Sequence, residues 1–341
     1  ETWPGACLFQ GLDRVNAMSD LLTIDLHAEL RHITTWVREV LSRQLHRQGV
    51  VVGISGGVDS ATTAALCVRA LGNDRVFGLL MPDKESSPET TRLARLVVEF
   101  LDISHAQLDI TPVLESLGCY ESRDEVVRRL VPSYRPQEGF KIVLVPQGDN
   151  PINYFTLVTG QGEDERRMRL SASDYLTIVA ATNHKQRVRK SLEYHHADRL
   201  NYAVAGTPNR LEYDQGFFVK QGDGAADIKP IAHLYKCQVR ALARNLGVPE
   251  EIVSQPATTD TYSLPQSQEE FFFTVSLEQM DVCMAGLDAG MEPDEIARRS
   301  GLAIQVVERT VEQIRRKRRT TRHLHLPPLL ARPVGGAERY E

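Results

Sequence analysis

Residues 51–61 read VVGISGGVDSA: an apolar run, then Ser-Gly-Gly, then Asp-Ser, then the start of an alanine-rich stretch. Glycines at 53, 56 and 57 let the backbone take positive φ angles and come close to a ligand. Backbone N–H groups turned inward at the start of a following helix form a nest for an anion. Ser55 and Ser60 add hydroxyl donors. Asp59 is the discriminating residue, because a bare carboxylate would repel a bound phosphate unless a Mg2+ ion sat between them. The spacing is neither Gly-x-x-x-x-Gly-Lys-Ser/Thr nor Gly-x-Gly-x-x-Gly, which removes the kinase-type P-loop and the dinucleotide fingerprint.

Outward from this loop the chain alternates strand and helix. Leu21–Gln48 carries Leu26, Leu30, Ile33, Val37, Val40 and Leu41 at helical spacing, and Val50–Ser55 reads as a buried strand. A helix over Val58–Leu71, a strand over Arg75–Pro82, a helix over Pro88–Leu101 and a strand over Ala106–Ile110 follow. This rhythm predicts an α/β fold, a Rossmann-like doubly wound parallel sheet of about five strands with flanking helices. Its ligands belong at the carboxyl ends of the strands, near a topological switch point. From Cys119 to Ser173 the rhythm is lost, and that stretch reads as an insertion containing a small hairpin or a lid. The pattern resumes with a helix over Ala172–Arg199, a strand over Asn201–Gly206, a helix over Tyr235–Leu246 and a helical region over Pro293–Arg319. Residues 1–20 read as an extension, disordered or vector-derived, residues 21–330 as one domain, and residues 331–341 as a tail.

Composition narrows the class. The 341 residues are 42% hydrophobic and 25% charged, with a formal net charge of −5, enough chain for a full core without staples. No run approaches the roughly 18 apolar residues of a membrane helix, and no secretory signal opens the chain. Cys7, Cys67, Cys119, Cys237 and Cys283 form no Cys-x-x-Cys, which suits reduced thiols and a cytoplasmic location. The acidic balance and unpaired cysteines speak against nucleic acid as a partner. No Cys–His or Ser–His–Asp pattern indicates a covalent nucleophile, and His195-His196 reads as a helix surface pair.

SGGVDS resembles the pyrophosphate loop of the N-type ATP pyrophosphatases, the PP-loop superfamily with the adenine nucleotide alpha hydrolase-like fold. Residues 205–252, AGTPNRLEYDQGFFVKQGDGAADIKPIAHLYKCQVRALARNLGVPEEI, are similar to the second half of the ammonia-dependent NAD synthetase catalytic domain within it. The resemblance spans roughly Thr34 to Val275 apart from the insertion. It implies that Gly53, Ile54, Ser55, Gly56, Gly57, Val58, Asp59 and Ser60 wrap ATP phosphates. It implies further ATP contacts at Thr207, Lys236 and Thr258, with Mg2+ held by Asp59 and Glu212 and catalysis carried by Asp59 and Lys236. The acceptor, deamido-NAD, would meet Arg187 of NHKQRVRK, Lys220, Asp227, and Arg322 with His323 in the C-terminal TTRHLHLPP. Two departures stand out: LLMP, at the end of the second strand, lacks an arginine common in the family, and the C-terminal tail matches weakly. The Arg315–Arg319 run reads as a basic helix end favoured by the macrodipole.

The implied activity is ATP-dependent amidation of deamido-NAD to NAD through an acyl-adenylate, releasing AMP and pyrophosphate, with no membrane partner. Too few residues precede Thr34 for a glutaminase domain, so free ammonia or a separate glutaminase chain is the expected nitrogen source. A homodimer is implied, which an exposed apolar patch beside Gly216–Val219 would mark. The alternatives are a related ligase amidating a different carboxylate and a non-catalytic nucleotide-binding protein. Intact Asp59, Glu212 and Lys236 argue against the second of these.

Overall fold

The computed structural model describes residues 19–147, 150–257, 261–273 and 275–332. Thr258, the extension through residue 18 and the tail from residue 333 lie outside the described residues. At the centre is a parallel four-stranded sheet in the order β3 (Ser104–Gln107), β2 (Val76–Leu80), β1 (Val50–Gly53), β7 (Ala203–Ala205). Val50, Val51 and Val52 are wholly buried, because helices cover both faces of a parallel sheet. Val50 and Val52 face the Leu26–Glu39, Val58–Leu71 and Lys236–Asn245 helices, and Val51 faces the Ala172–Leu200 helix with Leu79 and Val204. This alternation is the period-two pleat of a strand. β1 connects in sequence to β2 on one side and lies against β7 on the other. Strand order therefore reverses at β1, and the carboxyl ends of β1 and β7 open the crevice where such sheets take ligands.

The helix over Val58–Leu71 and that over Pro88–Leu101 have the expected bounds. Ser87 caps the second, its Oγ accepting from Thr90 N at 3.0 Å, with Pro88 in the first turn. The third strand lies earlier than Ala106–Ile110, because Asp109 Oδ1 accepts from Thr111 N at 2.8 Å and starts a short helix at Thr111. The sheet is one strand short of five. Ile228 makes a single parallel bridge to Ala205, and Pro230, two residues on, has no N–H to extend the ladder.

The stretch from Cys119 departs most from expectation. It opens with a regular helix, Cys119–Leu130, packed against the Ala172–Leu200 helix. An antiparallel sheet follows, β4 (Phe140–Gln147), β5 (Asn150–Thr159) and β6 (Arg166–Arg169), in that order. Phe140, Ile142 and Leu157 are fully buried in its core with Ile178 and Tyr262. The C-terminal helical region is two helices, Pro293–Ser300 and Ile304–His325, separated at Gly301, whose φ is +73°. With the Leu277–Asp288 helix they build a separate core around Met280, Met284, Ile296, Val307 and Val311. Among the described residues no helix is long and apolar enough to cross a membrane.

A buried ion network fixes the loop after β2. Lys185, 1% exposed, donates to Glu85 at 2.7 Å and lies 3.3 Å from Asp83. Arg123 pairs with Glu85, and Arg189 bonds Met81 O at 3.0 Å and Asp83 at 3.2 Å. Burial opposes the Glu85 charge, but Arg123 and Lys185 outweigh it and hold the carboxyl below its ordinary range. Lys185→Ala leaves Asp83 and Glu85 short of one cation in low dielectric. Removing one partner of such a pair costs about 3–5 kcal/mol, and the remaining Arg123 and Arg189 put this case near the low end. Urea unfolding of the variant is expected to show that loss, with the m-value unchanged.

Candidate active site

The SGGVDS loop leaves β1 at Gly53 and enters the Val58–Leu71 helix. Gly53 and the loop's two glycines serve three different needs. Only Gly56 takes a positive φ, +80°, and a Cβ there would lie 2.8 Å from Thr90 O and 2.9 Å from Ala94 N. Gly53 is needed because a Cβ would sit 2.9 Å from the Glu193 carboxylate. Gly57 is extended (φ −83°) and is the N-cap, with no described side chain capping the helix. The first-turn N–H groups of that helix are therefore donors for a bound anion, aided by the helix dipole. Ser55 and Ser60 brace the loop: their hydroxyls lie 3.1 Å apart, Ser55 N donates to Ser60 Oγ at 3.2 Å, and Ser60 Oγ donates to Gly57 O at 3.0 Å.

Three expected residues converge at the mouth of this loop from three elements. Asp59 is in the first turn after the loop, Glu212 is in the Arg210–Gln215 helix that follows β7, and Lys236 opens the Lys236–Asn245 helix. Lys236 is 4% exposed and its ammonium pairs directly with Asp59. Burial opposes the Lys236 charge, but Asp59 and Glu212 outweigh it and raise the ammonium above its ordinary value. Burial, then the neighbouring Asp59 charge, push the Glu212 carboxyl well above the usual carboxylate range. Asn209 joins the group: it accepts from Glu212 N at 3.1 Å, donates its own N–H to Glu212 Oε2 at 3.1 Å, and its Nδ2 donates to Asp59 Oδ1 at 3.3 Å. This capping box clamps both carboxylates.

Two carboxylates facing one lysine leave an excess of negative charge beside an anion cradle. Hard oxygen donors in that number suit Mg2+, which takes one or two carboxylates and completes its shell with water and phosphate oxygens. Among the described residues no set of three His, Cys, Asp or Glu side chains converges, so a zinc-type site is not what these residues build. Thr207 stands two residues past β7, level with the loop beyond β1.

The expected acceptor residues form a second group at the surface. Lys220 Nζ donates to His323 O at 2.9 Å and Leu326 O at 3.3 Å, stapling the end of the C-terminal helix, and Arg187 Nε bonds Lys220 O at 3.4 Å. Phe218, Gln221, Gly224, Leu324 and Pro327 line a cavity of about 170 Å³ beside Lys220. His323 takes part through its carbonyl, its ring being turned to Thr320 O at 3.1 Å, and Arg322 is exposed on the same turn. Asp227 lies apart on the edge of β7, accepting from Val204 N at 2.7 Å and Tyr194 Oη at 3.3 Å.

Three residues of the site or its frame were not among the expected site residues. Asn209 is the capping residue just described. Gln268 donates to Glu212 Oε1 at 2.9 Å across 56 residues of chain, and Asp281 accepts from Cys237 N at 3.2 Å at the start of the helix that carries Lys236. Only Asn209, three residues before Glu212, had a local signal. The basic run also differs from expectation: Arg318 pairs with Asp214 at 2.7 Å and Asp288 at 3.1 Å, and Lys317 is buried with its ammonium on Phe272 O. Among the described residues no exposed patch marks Gly216–Val219, since Phe217 packs on Phe271, Phe272 and Phe273, and Phe218 on Tyr213 and His325.

A family model described as NAD synthase matches residues 29–129 and 162–324. The stretch it passes over contains β4 and β5. The NH(3)-dependent NAD(+) synthetase of Rhizobium meliloti is 51% identical over 325 residues, covering 94% of this chain and 97% of that protein. The one of Thermotoga maritima is 36% identical over 258 residues, 75% of this chain and 85% of that protein. Among solved structures, an NMN synthetase from Francisella tularensis superposes with a TM-score of 0.64 at 21% identity, over 90% of this chain and 99% of that one. An NH3-dependent NAD synthetase from Campylobacter jejuni does so with a TM-score of 0.60 at 21% identity, over 91% and 100%. At these identities the two structures speak for the fold alone.

Asp281 supplies a pH test of the site's framing. Burial pushes its carboxyl up to about 6, against hydrogen bonds from the Cys237 and Lys236 amides. An unfolded Asp titrates near 3.9, so the folded state binds the extra proton between about pH 4 and 6 and stability falls as pH rises through that window. The stability difference between wild type and Asp281→Asn is expected to shift against wild type by about 2–3 kcal/mol from pH 4 to 6. Above pH 6.5 it is expected to stay level, as read from urea unfolding at each pH.

Proposed function

The chain belongs to the NAD synthase family, and on that premise we propose that the crevice at β1 and β7 is where ATP drives amidation of deamido-NAD to NAD with ammonia. One observation carries the assignment of residues: Asp59, Glu212 and Lys236 meet at the N-terminus of the helix that follows SGGVDS. The loop amides and Ser55 and Ser60 would hold the ATP phosphates, with Thr207 and Thr258 as further contacts. Asp59 and Glu212 would hold Mg2+, which when bound supplies charge neutralisation for the polyphosphate.

The chemistry then needs position and charge more than a nucleophilic side chain. The acceptor carboxylate oxygen attacks the α-phosphorus, a P–O bond forms, the bond to the β-phosphate oxygen breaks, and pyrophosphate leaves into the loop. Lys236 stabilises charge that grows on the phosphate oxygens, as a buried point charge already fixed by Asp59. Ammonia attacks the acyl carbon of the adenylate, AMP departs with the bonding electron pair, and a proton is lost from nitrogen. Arg187, Lys220, Arg322 and His323 would hold the dinucleotide, with Asp227 on the neighbouring strand edge. We further infer a homodimer, with free ammonia or a separate glutaminase as donor.

Purified protein with Mg-ATP, ammonium and deamido-NAD is expected to release NAD and AMP in equal amounts. Asp59→Ala is expected to lower kcat by at least about a hundredfold, the scale of losing a preorganised charge in an active site. AMP and amide formed only with some other carboxylate would move the acceptor and leave the ATP site standing. Lys220→Ala removes one charged contact and is expected to raise KM for deamido-NAD about 10- to 100-fold. Its KM for ATP should stay within about threefold of wild type, and a parallel rise in both would remove Lys220 from the acceptor side.

A further inference from the structure

We propose that Gln268 is a positioning residue for the metal-binding carboxylate Glu212, held in place by β4, a strand of the stretch that the family model passes over. This deepens the reading of Asp59 and Glu212 as metal ligands and rests on it.

Glu212 sits in a helix of six residues, too short to fix a side chain by itself, and faces the like charge of Asp59. Each of its oxygens has one donor. Oε2 accepts from Asn209 N at 3.1 Å, and Oε1 accepts from Gln268 Nε2 at 2.9 Å. Two donors, one per oxygen, set the plane of the carboxylate and leave each oxygen a second lone pair for a cation. The carboxylate also sets the orientation of the Gln268 amide, since only the NH2 end can face it. Outer-shell donors of this kind orient ligating carboxylates.

Gln268 itself is 8% exposed and its backbone N–H donates to Ala257 O at 3.0 Å. The residues around it are laid along β4. Leu264 N donates to Phe140 O at 3.1 Å, Phe140 N to Ser263 Oγ at 3.0 Å, and Gln266 Nε2 to Ile142 O at 2.6 Å. Lys141 Nζ lies 2.8 Å from the Glu270 carboxylate. Gln266 and Glu270, two residues either side of Gln268, are thus both tied to one strand. Phe140 and Ile142, fully buried, keep that strand in register, and Tyr262 packs into the same core. Among the described residues, β4 is thus linked to Glu212 through the Gln268 amide. It acts on the orientation of Glu212.

The test uses the purified full chain with Mn2+ and ATP, reading free Mn2+ by electron paramagnetic resonance, beside NAD formation as a function of Mg2+. Gln268→Leu keeps the volume and loses the donor. It is expected to weaken Mn2+ binding in the presence of ATP about tenfold or more. Raised Mg2+ should recover most of kcat. Lys141→Ala, on the insert and away from the crevice, is expected to shift the Mn2+ midpoint in the same direction by about two- to threefold. A Gln268→Leu midpoint equal to wild type, in protein with wild-type circular dichroism, overturns the proposal. If Gln268→Leu does not fold, Lys141→Ala decides: a shifted midpoint supports the coupling and an unshifted one overturns it. Asp59→Asn separates the levels. If it binds Mn2+ and ATP as wild type does, the metal reading itself fails and takes this proposal with it.

Discussion

The structure turns on one electrostatic problem: two carboxylates, Asp59 and Glu212, are brought together below the surface with a single lysine to answer them. In low dielectric the repulsion between like charges exceeds what water would leave of it. Lys236 balances one charge, and the N-terminus of the Val58–Leu71 helix offsets part of the rest. What remains is an unmet demand for positive charge beside a cradle for anions. The sheet order makes this meeting possible. Asp59 follows β1, Glu212 follows β7, and these strands are neighbours because strand order reverses between them. A β7 on the far edge, against β3, would put two strands between Glu212 and the loop and leave the loop with one carboxylate.

Buried ion pairs hold the carboxyl edge of the sheet elsewhere too. Lys185 with Asp83 and Glu85 fixes the loop after β2, and Lys190 pairs with Glu193 at 2.5 Å, within reach of Gly53. A partly exposed pair, Arg318 with Asp214, ties the C-terminal helix to a position two residues from Glu212. Such pairs gain little over apolar packing in net stability, because desolvation offsets attraction. Their use here is positional. Apolar contacts tolerate small slips, whereas a pair with fixed hydrogen-bond geometry does not, and loops at a catalytic edge need the second property.

Legibility followed the range of the interactions. The loop, the Val58–Leu71 and Pro88–Leu101 helices and the three central residues were readable because each depends on a few consecutive residues or a family motif. β3 was displaced by a local turn at Asp109, a side chain whose bond from Thr111 N competes with strand pairing. The glycine loop was recognised, yet positive φ explains only Gly56; crowding by Glu193, 140 positions away, explains Gly53. Gln268 and Asp281 carry no motif because their partners are distant in sequence, and nothing in QSQEE or MDVCM announces a contact to Glu212 or Cys237. Arg315–Arg319 looked like a solvated helix end, but Arg318 and Lys317 face inward, which helical periodicity alone does not reveal when every residue in the run is basic.

The two halves of the site are built on different physics. Lys236 is buried, and its half-buried carboxylate partners are already paired and held by Asn209 and Gln268, so on the proposed reading little reorganisation is needed when charge develops on phosphate. Arg187, Lys220 and Arg322 are long, at least partly exposed side chains, and Lys220 makes its hydrogen bonds to main-chain carbonyls at a helix end. Ordering such chains around a ligand costs rotamer entropy, and salt screens their charges. On the proposed reading, the acceptor side is therefore the adjustable half, open to change by substitution at a surface. The group at the SGGVDS loop is not, because moving any one of three elements would break a charge balance that the other two share.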